Sequence, residues 1–221
     1  MNGACPLFGP SQEPRDCGSC SHGNGRARTE LLPKQLLHLE GDPATTIYGV
    51  LEGFLRETRT LEDGRIVGLR IVRPGDLVGT ETLSRDSYQC TVEALTGARL
   101  CRATLPELER NLLAQPSEGL RLSRAVEDGA SRLRDGMVAL GSMSAEERVK
   151  SALLQLIGEV PAGTWVTLPL TRKELGELLG LALATVSRTI QKLARAGLLE
   201  VRGRRVRVPP TSTPRTERLV R

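Results

Sequence analysis

Five cysteines are the residues of this 221-residue chain best suited to chemistry, and three of them, Cys5, Cys17 and Cys20, crowd into its first twenty positions. Cys90 and Cys101 follow much later. In a reducing compartment, clustered thiols point to metal binding or redox exchange rather than structural disulfides. Cys17 and Cys20 form a C-x2-C pair, open to metal ligation, a thiol–disulfide switch or no role at all. Cys90 reads best as a small buried hydrophobe in a strand. His22 and His38 could ligate metal, but a surface or capping role is the simpler reading. The second chemical feature is charge. From Thr171 onward twelve Arg/Lys stand against four Asp/Glu, a local excess of +8 within a chain of net +5. Cations concentrated in the last quarter suit nucleic-acid binding, because neutralised phosphates release their condensed counterions; a solvated basic tail is the plain alternative. No Ser/His/Asp set, phosphate-binding loop or paired acids recommends catalysis, so an enzyme is not expected. A small-molecule-binding module or enzyme built on the chain's β-rich part is the reading furthest from these.

The elements that must position these residues follow from periodicity. Aromatics are only 2% of the chain, so its core must be built from Leu, Val, Ile and Ala. Residues 1–28 are rich in Gly, Pro, Ser and Cys and cannot form a core of their own. From Glu30 to Leu105 short apolar runs (IYGVLEG, RIVGLRIV, CTVEAL, ARLCRATL) are separated by turn signals at Gly41-Asp42-Pro43, Glu62-Asp63-Gly64 and Pro74-Gly75-Asp76. That pattern predicts an antiparallel jelly roll, with a hairpin at Asp63-Gly64. Val126, Ala130, Leu133, Met137 and Leu140 step by four and three, a heptad-like seam on one long helix. Such a seam either packs on its own domain or pairs two chains, and its place between a β domain and a basic domain favours a dimer interface. Ser144 with Glu147, and Thr171 with Glu174, are capping boxes that open two further helices.

The end of the chain then reads as two short helices about Gly180, the second over 183–194, followed by a basic hairpin pivoting at Gly203: a winged helix-turn-helix. Its second helix would bury Val186, Ile190 and Leu193 and present Ala184, Ser187, Arg188 and Lys192 to the major groove. Arg188 is the best base reader, since its fork matches guanine O6 and N7. Thr171 and Arg172 would meet backbone phosphate at a helix N-terminus. Arg202, Arg204 and Arg205 on the wing would add affinity without sequence preference. No apolar run approaches the roughly 20 residues that span a bilayer. The N-terminus lacks a secretory pattern, so a cytoplasmic protein with no membrane contact is expected.

Over nearly its whole length the chain resembles the CRP/FNR superfamily. TRKELGELLGLALATVSRTIQKLARAGLLEV is similar to that family's helix-turn-helix, GDPATTIYGVLEG to its barrel signature, and RPGDLVG to the glycine-rich turn between barrel strands. The resemblance implies an α+β protein: an N-terminal β jelly-roll sensor domain of cyclic-nucleotide-binding type, a long dimerisation helix and a C-terminal winged helix-turn-helix. The corresponding divisions are a cysteine-containing segment (1–28), the jelly roll (29–115), the dimerisation helix (116–141), the DNA-binding domain (142–208) and a disordered tail (209–221). The implied partners are double-stranded promoter DNA and a second copy of the chain, with RNA polymerase a further candidate. The nucleotide-binding branch has an acidic residue after the GDLVG-type turn and an Arg-Ser pair before the next strand. Here Thr80 holds the acidic place and no Arg-Ser pair lies near Tyr88, so cAMP is disfavoured. The FNR branch is closer: Cys101 falls where its oxygen sensors place the barrel cysteine of a 4Fe-4S cluster, and Cys5, Cys17 and Cys20 could supply the other thiolates. Their x11-then-x2 spacing is wider than in those sensors. Ala184 replaces a glutamate that many members use to read cytosine, so a different half-site is expected. The alternative is a family member without a cluster, constitutive or switched by thiol/disulfide exchange or zinc.

Overall fold

The structure is a computed structural model; it describes Leu7, residues 28–158 and residues 160–210. The chain divides into two compact units between Asp135 and Gly136.

The first unit is built on eight short strands: β1 (Arg28–Leu31), β2 (Leu36–His38), β3 (Thr46–Glu52), β4 (Leu55–Thr60), β5 (Ile66–Val72), β6 (Leu77–Val78), β7 (Thr91–Ala94) and β8 (Ala98–Thr104). They form two four-stranded antiparallel sheets, ordered β1-β8-β3-β6 and β2-β7-β4-β5. All four apolar runs of the sequence are strands, and the Asp63-Gly64 turn joins β4 to β5. Alternation along β8 decides what each sheet face carries. Ala98 and Leu100 join Val50, Leu55, Val72 and Val92 in one apolar core, while Cys101 and Ala103 join Ile47, Leu77, Leu108 and Leu122 in a second.

The second core is closed by helix α1 (Leu105–Ala114) and the long helix α2 (Ser117–Ser142). The expected jelly roll ran to residue 115 without a helix, yet α1 opens at Thr104, whose amide and hydroxyl both donate to the Glu107 carboxylate at 2.8 Å. α2 is the single long helix expected over 116–141, here Ser117–Ser142. Its partly buried Val126 packs on the apolar cluster of its own barrel. Further along, Leu133, Met137 and Leu140 are 40%, 72% and 49% exposed, an apolar row left uncovered.

The second unit holds α3 (Ala145–Ile157), α4 (Arg172–Leu179) and α5 (Leu183–Arg195), with a three-stranded sheet ordered β10 (Glu200–Arg202), β11 (Arg205–Arg207), β9 (Val166–Thr167). Both expected capping boxes are present, on α3 and on α4. The hairpin turns at Gly203, as expected; β9 is an additional strand too short to show in the sequence. Among the described residues no helix is long and apolar enough to cross a membrane.

Candidate functional site

The geometry of the helix-turn-helix is set by two glycines. Gly180 ends α4 in the left-handed conformation, φ 61°, which a side chain would strain. Gly176, inside α4, accepts from the Leu181 amide, and a Cβ there would lie 2.5 Å from the Leu181 carbonyl oxygen. Only a glycine lets the turn close so tightly on the helix.

α5 then buries Val186, Ile190 and Leu193 almost completely, with Thr189 beside them. That leaves Ala184 and Arg188 exposed and Ser187 half-buried on the opposite face. Among the described residues no carboxylate lies within ion-pair distance of Arg188. The N-cap of α5 is Ala182, which offers no side-chain acceptor; the Thr185 amide turns back to the Ala182 carbonyl at 2.9 Å. The remaining expected contacts have more divided duties. Thr171 caps α4, its hydroxyl accepting from the Glu174 amide at 3.2 Å, and Arg172 is half-buried beside it. Lys192 is exposed but pairs at 2.5 Å with Glu146 of α3, which also meets Lys150. That neighbourhood holds the Glu146 carboxyl below the usual carboxylate range, chiefly through the Lys192 hydrogen bond. Arg204 turns back onto its own domain, one guanidinium nitrogen donating to the Leu168 and Pro169 carbonyls at 2.9 and 3.0 Å.

The wing carries a cluster that the sequence reading missed. The single tryptophan, Trp165, lies under the guanidinium carbons of Arg202, Arg205 and Arg207, which stand 4.9, 5.7 and 4.8 Å from its ring centroid. A lone Trp ahead of an Arg-rich hairpin was the available signal.

In the first unit Cys101 is 2% exposed, and its thiol donates to the Gly49 carbonyl at 3.5 Å. Leu7, also 2% exposed, belongs to the same apolar cluster. Cys5, Cys17, Cys20 and His22 lie outside the described residues. Among those described, no three His, Cys, Asp or Glu side chains are arranged to hold a metal. Cys90 behaves as expected of a buried hydrophobe: it sits in the inter-sheet core, and burial, followed by the Glu57 and Glu81 carboxylates, pushes its thiol well above its ordinary range. His38 departs from its surface reading. It is 7% exposed and stacks on Tyr88 with ring centroids 3.7 Å apart, and burial lowers its pKa despite the nearby Glu81.

The barrel's buried cation is already taken. Arg70 donates through two nitrogens to Glu57, both at 2.6 Å, and also to the Leu77 carbonyl. Glu81 accepts from the Gln89 amide and from the Cys90 thiol.

Comparison with known proteins agrees with this architecture. Residues 28–114 match the cyclic nucleotide-binding domain and residues 147–210 the Crp-like helix-turn-helix domain. The nitrogen fixation regulation protein FixK of Bradyrhizobium diazoefficiens is 34% identical over 168 residues, 73% of this chain and 69% of that protein. The transcriptional activator protein FnrL of Cereibacter sphaeroides is 32% identical over 174 residues, 75% of this chain and 69% of its own. Among solved structures, FixK2 of Bradyrhizobium japonicum superimposes with a TM-score of 0.77 at 27% identity, covering 89% of this chain and 96% of that one. Both domains in their expected order, with relatives at these identities along most of the chain, establish that this protein belongs to the CRP/FNR family of DNA-binding transcription regulators.

Proposed function

We propose that the protein binds promoter DNA as a homodimer and that an oxygen- or redox-sensitive 4Fe-4S cluster, held by Cys5, Cys17, Cys20 and Cys101, controls this binding. α5 enters the major groove with Arg188 reading a base edge, Ser187 and Ala184 beside it, and Thr171 and Arg172 near the phosphates. The row Leu133, Met137 and Leu140, continuing from Ala130 and the barrel-packed Val126, forms the seam between two copies of α2. Two recognition helices then meet half-sites about one DNA turn apart.

The observation that carries the cluster reading is the position of Cys101. Its side chain leaves the sheet on the face opposite the inter-sheet core and sits in the same apolar cluster as Leu7, two residues along the chain from Cys5. A thiol in the same apolar, water-poor cluster as Leu7 fits this group, and ligation by Cys5, Cys17 and Cys20 would add metal-binding energy to folding. When bound, such a cluster supplies oxygen- and redox-sensitive chemistry. For the barrel interior we propose no cyclic nucleotide: no Arg-Ser pair lies near Tyr88, and the buried Arg70 is already paired with Glu57.

Iron and sulfide analysis of anaerobically purified protein, with a visible spectrum, tests the cluster. Four irons and four sulfides per chain are expected, lost in Cys101→Ser. Colourless protein whose DNA affinity survives replacement of Cys5, Cys17 and Cys20 by Ser would overturn cluster control and leave a thiol, zinc or constitutive regulator.

A further inference from the structure

The outer face of the wing is set by strand pairing. Arg202 lies opposite Arg205, and Glu200 opposite Arg207, whereas Val201 opposes Val206, whose side chain is buried on the other face. β11 continues onto β9, with Val206 opposite Val166 and Arg205 opposite Thr167. Arg202, Arg205 and Arg207 therefore share one face, and Trp165, immediately before β9, lies under all three.

Three guanidiniums around one ring repel one another, and among the described residues a single carboxylate reaches them, Glu200 on Arg207 at 2.7 Å. The ring quadrupole offsets part of that repulsion and restricts the rotamers of long side chains. The face is still left cationic. A surface built to hold uncompensated arginines in fixed directions suits an array of anions, and guanidinium forks match phosphate oxygens.

We infer that Trp165 is a positioning residue that holds Arg202 and Arg205, with Arg207, as a grip for the sugar-phosphate backbone of duplex DNA beside the groove entered by α5. This rests on the DNA-binding reading of the same domain and revises the division of labour on the wing. Arg204, spent on the Leu168 and Pro169 carbonyls, anchors the hairpin, and the gripping face is made by its neighbours. Because the guanidiniums cover the ring, Trp165 does not serve as a stacking platform for an unpaired base.

The test uses the full chain and a mixed-sequence DNA duplex, with affinity measured against salt by anisotropy of labelled DNA. Each phosphate contact contributes about 0.9 to the slope of log affinity against log salt. The double variant Arg202→Gln/Arg205→Gln should therefore lower that slope by about 1.8 for each protomer on the duplex, or about 3.6 for the dimer. Trp165→Ala should lower it by part of this amount with both arginines still present, and Trp165→Phe should restore most of the loss. The emission of Trp165, the sole tryptophan, should also change when duplex is added to the wild type. A wild-type slope in Trp165→Ala, or in the double arginine variant, overturns the proposal. If Trp165→Ala fails to fold by circular dichroism, the arginine pair and Trp165→Phe decide the matter. Wild-type protein that ignores duplex altogether would instead remove the DNA-binding reading, a result distinct from binding that is indifferent to these substitutions.

Discussion

Arg132, midway along α2, donates to the Asp76 carboxylate at 2.7 Å, tying the long helix to the turn before β6. Asp76 is 2% exposed; its second oxygen accepts from the Arg73 amide at 3.1 Å and lies 3.9 Å from Arg70. The long helix and the barrel interior are thus joined by a half-buried charge pair one contact away from the Glu57–Arg70 pair. Removing one member leaves a buried charge short of its partner. Arg132→Ala should cost about 1.5–3 kcal/mol of stability, the worth of a charged hydrogen bond. Urea unfolding checks this, and an unchanged midpoint would show the contact to be idle.

His38 makes stability depend on pH. Burial lowers its folded-state pKa below the ordinary 6.5, so the unfolded chain binds more protons in the interval between the two values. The stability it contributes is fully present above about pH 6.5 and is lost as pH falls through the folded-state value. His38→Phe keeps a ring against Tyr88 but cannot titrate. Melting temperatures from about pH 7.5 to 5 should fall less steeply in this variant than in the wild type. Parallel curves would rule out His38 as the source.

Gly176 marks the closest approach in the DNA-binding unit. Gly176→Ala puts a methyl 2.5 Å from the Leu181 carbonyl oxygen, so the turn must shift. Overpacking of this kind costs about 1–3 kcal/mol, and the displacement of α5 should weaken duplex binding in protein that remains folded. Thermal unfolding and duplex affinity, measured on the same preparation, should both decline.

The uncovered row on α2 gives a prediction about assembly. Leu133→Glu/Met137→Glu places charges in the centre of the proposed seam, where each would be buried against an apolar partner surface. Light scattering should give the mass of a single chain for the variant and of two chains for the wild type. A variant that stays dimeric would place the interface elsewhere.

Much of the architecture was legible because its signals are local. A capping box needs residues three apart, as in Ser144–Glu147 and Thr171–Glu174, and a hairpin turn needs only Asp63-Gly64 or Gly203 between alternating runs. Periodicity likewise gave the buried stripe Val186, Ile190, Leu193 and hence the outward direction of Arg188. The Thr104–Glu107 pair lay equally open to reading and would have revealed α1. Tertiary structure alone decided which charges remain for a partner. Lys192 meets Glu146 from 46 positions away, Arg132 meets Asp76 from 56, and Arg204 finds carbonyls 35 and 36 positions back. The same holds for the arginines gathered over Trp165, and for Leu7 and Cys101 in one apolar cluster. Caps, turns and helical stripes act within a few residues of the chain, whereas a guanidinium's partner depends on which strand or helix packing brings beside it.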